Sequence, residues 1–144
     1  MLNAFSLRDA RLELIAGEEP AELHEATWID LIKPSEEERH RVEAAYRQHL
    51  PEPDEVEEIE ATARFFEDDG GLHLHSYFLH KVDGRPRNST VAFTLSRGQL
   101  FTLHDYDLPV FRMFRLRARR EPTLALDAGT ILVNLLDTKV EELA

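Results

Sequence analysis

Four β-prone segments, residues 63–67, 72–81, 89–96 and 99–104, follow one another with only short glycine-bearing breaks between them. The breaks are Asp68-Asp69-Gly70-Gly71, the run 83–88 with Gly84 inside it, and Arg97-Gly98. Glycine supplies the positive φ that tight turns need, and connections this short join antiparallel neighbours. Residues 63–104 therefore read as an antiparallel meander. Its expected interior is Phe65, Leu72, Leu74, Phe78, Val91, Phe93, Leu95 and Phe101.

The rest of the chain supplies more strands and the helices that cover them. Residues 3–7 and 11–16 read as a hairpin around Arg8-Asp9-Ala10, and 26–31 as a further strand rich in β-formers. Pro34 closes that segment, and Ser35 with Glu38 forms a capping box, which satisfies backbone donors left open at a helix start. Val42, Ala45, Tyr46 and His49 then recur at helical spacing as a buried stripe. A second helix is expected from Pro53, with Val56, Ile59 and Ala63 inward and acids on its other faces. Residues 108–120 return to helical spacing with Phe111, Phe114 and Ala118 inward. A last helix starts near Asp127 and aligns Leu132, Leu135, Leu136, Lys139 and Leu143. No glycine, proline or polar cap closes it, so the helix is expected to be truncated and to continue beyond residue 144. The expected fold class is α/β of the α+β kind: one domain over residues 1–144, with a mixed, largely antiparallel sheet of about six or seven strands and helices packed on it.

Composition narrows the function classes. With 144 residues, 42% of them apolar, the chain suits a single core, and no apolar run approaches the roughly 20 residues of a membrane-spanning helix. The first residues lack the basic and apolar regions of a signal peptide. The absence of cysteine rules out disulfides and thiolate metal sites. A net charge of −11 opposes nucleic-acid binding, because phosphates would be repelled. The charge is uneven: residues 18–69 hold 18 acids against five bases, whereas residues 112–120 hold five arginines. An acidic half attracts cations or basic partners, and it also serves simply as a solvated surface.

The chain carries no glycine-rich phosphate loop, nucleophile elbow or His-Glu-x-x-His helix, and no serine has a visible base beside it. An enzyme is not expected. His73 and His75 share one face of a strand and could ligate zinc or nickel, but His80 falls on the opposite face and no third ligand is apparent. Buried polar positions in a sheet are the plainer reading. The five arginines are scattered around their helix, which suits a solvated or interface face. Asp137 and Glu141, four apart, place two carboxylates on one helix face; lone surface acids are the plainer reading, though such a pair also suits Mg²⁺, which prefers oxygen ligands and keeps much of its water.

Two stretches go further. Residues 58–78 (EIEATARFFEDDGGLHLHSYF) and 88–103 (NSTVAFTLSRGQLFTL) closely resemble the cytoplasmic N-terminal domain of CorA magnesium/cobalt transporters, in particular the enterobacterial-type branch. Trp28-Ile29-Asp30-Leu31 followed by Pro34, the Leu108-Pro109-Val110-Phe111-Arg112 segment and the final helix fall in the family's order, so the resemblance runs from about Ala26 to the end. It implies the cytoplasmic regulatory, metal-sensing domain of a homopentameric Mg²⁺ channel that also passes Co²⁺ and Ni²⁺. The family's pore signature Gly-Met-Asn, which lies between two membrane helices, is absent from this sequence. Its partners would be the other subunits, and the full-length protein would sit at the inner membrane with this soluble part on the cytoplasmic face. Mg²⁺, or Co²⁺, bound by acids between subunits would hold the channel closed, and its loss would open it. The resemblance points to Asp83 and Asp137 as the nearest metal-binding candidates, with Glu141 and Glu142 behind them and the acidic stretch 54–60 as another place for the sensor. Two alternatives stand beside it: the cytoplasmic part of a zinc-transporting relative, in which His73 and His75 would matter more, and a stand-alone acidic module that holds a basic partner.

Overall fold

The computed structural model describes residues 1–8, 11–15, 23–52, 65–121, 124–125 and 127–143. Seven strands form one mixed sheet: β1 (Leu2–Arg8), β2 (Arg11–Ile15), β3 (Trp28–Ile32), β4 (Phe65–Asp68), β5 (Gly71–Val82), β6 (Arg85–Ser96) and β7 (Gln99–His104). Their spatial order is β2-β1-β3-β7-β6-β5-β4. Only β3 and β7 run parallel; every other neighbouring pair is antiparallel. Among the described residues three helices cover it: α1 (Glu36–Tyr46), α2 (Pro109–Ala118) and α3 (Ala128–Leu143). This is the α+β architecture expected from the sequence.

Local chemistry explains the meander. Asp83 and Gly84 both adopt positive φ, 53° and 77°, and Arg97 and Gly98 do the same at 52° and 79°. Each pair is a two-residue turn whose twist matches that of the strands it joins. The break expected over 83–88 therefore shrinks to two residues, and Pro86 lies within β6 opposite Lys81. A proline is tolerated there because β7 pairs only with residues 92–96 of β6, so its missing N–H faces no partner strand. Gly71 has φ 114°, and an added Cβ would stand 2.5 Å from the Leu95 carbonyl oxygen, so only glycine fits.

The helices begin and end as their sequences dictate. Ser35 caps α1 with the reciprocal Glu38 contact in place, and Arg47 in a left-handed conformation ends the helix. That stop removes His49 from the stripe predicted for it: His49 is exposed, and Leu50 is buried instead. Pro109 occupies the first turn of α2, where no backbone donor is required of it. Asp127 starts α3, its Oδ1 accepting from the Thr130 amide at 2.7 Å and the Thr130 hydroxyl at 2.8 Å, and these bonds hold its carboxyl below the usual range. The helix predicted from Pro53, with Val56, Ile59 and Ala63, lies outside the described residues, as does the acidic stretch 54–60.

The sheet is covered on both faces. Val42 and Tyr46 of α1 pack with Ala4, Ile29, Leu31, Phe101 and Leu103. On the other face Phe111, Phe114, Ile131 and Leu135 of α2 and α3 pack with Trp28, Phe78, Val91 and Phe93. All five residues of β3 are buried, as a strand between two helical layers requires. Phe78, Val91, Phe93 and Phe101 are core, while Leu72, Leu74 and Leu95 are only partly buried. Phe65 departs from the expectation: it is 61% exposed, because β4 is the edge strand and all four of its residues face solvent.

Candidate functional site

The carboxylates singled out by the sequence sit at the surface. Asp83 is exposed at the tip of the β5–β6 hairpin, and Asp137 is exposed on α3. Glu141 and Glu142 belong to the last turn of α3, where the backbone alone is described. Among the described residues no three or more His, Cys, Asp or Glu side chains cluster as a metal-holding group.

The histidine pair has other work. His73 Nδ1 lies 3.0 Å from Thr94 Oγ1, its Nε2 lies 2.8 Å from Asp68 Oδ1, and its ring stacks on Phe66 at 4.7 Å. The His73 contact leads the causes that hold the Asp68 carboxyl below its ordinary range. Both nitrogens of His73 are thus committed within the β4–β6 sheet. His75 is buried beside it with its ring edge-on to Phe66. Phe66 is the wall these two rings share.

A buried polar chain that sequence reasoning missed crosses the centre of the sheet. Trp28 Nε1 donates to Thr102 Oγ1 at 2.9 Å, and that hydroxyl donates to Asp30 Oδ1 at 2.6 Å. His104 Nε2 reaches the same carboxylate oxygen at 2.6 Å, and its Nδ1 lies 2.5 Å from the Tyr106 carbonyl oxygen. Both ring nitrogens face acceptors, an arrangement that favours the imidazolium form. Burial opposes that charge most strongly, but the bond to Asp30, the Asp30 charge, the Tyr106 carbonyl and Asp107 together raise the His104 pKa above its ordinary 6.5. Arg115 extends the chain to the rim. Its Nη1 is 3.8 Å from Asp30 Oδ2 and its Nη2 is 3.6 Å from Asp107, which also pairs with Arg112 at 3.1 Å. One signal for this network was present in the sequence: Asp30 is the only charged residue in the otherwise apolar run 28–32.

The profile of the CorA-like Mg²⁺ transporter protein family matches residues 24–144. The magnesium transport protein CorA of Escherichia coli K12 is 47% identical over 145 aligned residues, covering all of this chain and 46% of that protein. This chain belongs to the CorA family. The CorA of Haemophilus ducreyi is 48% identical over the same share of each chain. Among solved structures, the soluble domain of CorA from Methanocaldococcus jannaschii superposes with a TM-score of 0.66 at 14% identity, covering 98% of this chain and 56% of that one. The complete transporter from the same organism gives 0.71 at 13% identity, covering 98% and 44%. At those identities the structural likeness speaks for the fold alone. The chain spans about half the length of the CorA relatives it matches, and no helix among its described residues is long and apolar enough to cross a membrane.

Proposed function

We propose that this chain is the cytoplasmic metal-sensing part of a homopentameric Mg²⁺ channel, and that divalent cation held between subunits favours the closed state. The observation that carries the reading is 47% identity, across the whole chain, to a relative named as a magnesium transport protein. The role is one of ion transport rather than catalysis. The membrane-crossing part is assigned to the portion of the relatives that this chain does not span, with the present domain on the cytoplasmic side of the inner membrane.

The sensing residues in this reading are Asp83, Asp137, Glu141 and Glu142, with Mg²⁺ or Co²⁺ as the bound ion. Supporting it, Asp83 and Asp137 are both exposed and no complete ligand set forms within the described residues of one chain. Carboxylates brought together across an interface repel until a cation bridges them, and a net charge of −11 adds to that repulsion. A hard ion retaining much of its water suits such a site, because each contact is weak enough to release the ion when its concentration falls.

Limited proteolysis of the full-length channel against Mg²⁺ tests the proposal. A coupling of about 1–3 kcal/mol between sensor and pore shifts the protection midpoint roughly 5- to 150-fold in the Asp83→Ala/Asp137→Ala variant. A midpoint equal to that of wild type removes both residues from the sensor. Tight Zn²⁺ binding abolished by His73→Ala would instead favour the zinc-transporting alternative.

A further inference from the structure

We propose that the cleft between the end of β5, the β7–α2 connection and α3 binds a small planar anion: a ring lying against Tyr106 and His80, and a carboxylate or phosphate reaching Lys139 and Arg112. This site is separate from the carboxylates assigned above and does not depend on them.

The cleft encloses about 700 Å³ and is walled by Leu79, Val82, Pro109 and Val110 among others. That volume falls within the range typical of small-molecule sites. His80 forms part of its lining and is only 9% exposed, yet neither of its ring nitrogens has a hydrogen-bond partner among the described residues. A buried imidazole normally satisfies at least one nitrogen, and leaving both unmade is costly. Two other buried histidines of this sheet, His73 and His104, each use both nitrogens.

What covers His80 is the ring of Tyr106, 4.5 Å away between centroids and tilted by 31°. Tyr106 is itself 50% exposed and Leu79 on the same rim is 45% exposed, so the proposed entry is by an outward turn of the Tyr106 ring. Once Tyr106 turns, an incoming flat ring meets a second aromatic face and the orphaned nitrogens of His80. The charge at the mouth selects the sign of the ligand. Lys81, Arg112 and Lys139 line the cleft against one acid among the described lining residues, Asp107, which is shared between Arg112 and Arg115. In a chain of net charge −11 this is a local cationic site.

The position gives an occupant leverage. The Tyr106 carbonyl is held by His104 in the buried chain around Asp30, and Lys139 donates to Ser76 Oγ at 2.7 Å and lies over the Phe78 ring at 5.0 Å. A ligand touching Tyr106 and Lys139 thus contacts both the centre of the sheet and α3.

Calorimetric titration of the 144-residue chain, without divalent cation, uses AMP and benzoate as probes, with adenosine, inorganic phosphate and acetate as fragments. AMP or benzoate binds at least about tenfold more tightly than its fragments, and His80→Phe or Lys139→Met weakens that binding at least about fivefold. Arg47→Gln, in a separate arginine-lined cleft beside α1, leaves it unchanged. Circular dichroism confirms that each variant is folded; should His80→Phe unfold, Lys139→Met and Tyr106→Ala carry the test. If neither probe outbinds its fragments, or if the folded variants bind as wild type does, the proposal is wrong. Loss in Arg47→Gln alone would overturn it as well, by moving the anion to the other cleft.

Discussion

Replacing Asp30 by alanine isolates the buried chain at the centre of the sheet. The carboxylate is fully buried and accepts from Thr102 and His104 through one oxygen, with Arg115 3.8 Å from the other. Removing it strands the Thr102 hydroxyl and leaves the buried His104 ring without its counter-charge. Removing one partner of a buried pair costs about 3–5 kcal/mol, because the remaining charge is uncompensated. For a domain of this size each kcal/mol moves the melting temperature by roughly 2–4 °C, so the variant melts about 6–20 °C below wild type. Urea unfolding followed by circular dichroism gives the free-energy difference directly. The pH dependence supplies a second reading. Because the His104 pKa is raised on folding, its stabilising contribution is complete below about 6.5 and is lost as pH rises through the higher folded value. The stability gap between wild type and His104→Gln therefore narrows as pH climbs from 6.5, and no such narrowing is seen in an Asp30→Ala background. A loss under about 1 kcal/mol in Asp30→Ala, or a gap that widens with pH, would refute the imidazolium–carboxylate assignment.

Phe93→Ala should cost about 3–5 kcal/mol in the same unfolding assay, since the ring is 1% exposed and sits among Phe78 and Phe111. Phe65→Ala, by contrast, should stay within about 0.5 kcal/mol of wild type, because its side chain stands on the solvent-facing edge strand. Ser35→Ala should lose about 1 kcal/mol and fray the start of α1, detectable as faster amide exchange at Glu38.

The two phenylalanines show where pattern reading works and where it stops. Both lie in β-prone segments, and both were expected in the core. Alternation reports which residues of a strand share a face, but not whether anything covers that face. Phe93 lies on an interior strand under α2, whereas β4 has only one neighbour. The carboxylates proposed as the sensor came from family resemblance, with only the four-residue spacing of Asp137 and Glu141 beside it: Asp83 and Asp137 are exposed acids, little distinguished by local sequence from other surface charges. His49 failed for a local reason, since the left-handed Arg47 ends α1 two residues before it.

What the sequence determined by itself is short-range. The Ser35–Glu38 capping box, the tight turns at Asp83-Gly84 and Arg97-Gly98, and the inward stripe of Phe111, Phe114 and Ala118 each depend on groups within a few residues of one another. Their hydrogen bonds and periodicities are therefore written directly in the residue order. Tertiary structure decided what those elements meet. The parallel pairing of β3 with β7 sets Asp30 beside Thr102 and His104, 72 and 74 residues away, and creates a buried ion pair whose partners the lone Asp30 in its apolar run does not name. It likewise leaves His80 buried beneath Tyr106 with no hydrogen-bond partner among the described residues. Register across distant strands is a property of the whole sheet, fixed only when every buried face finds its cover.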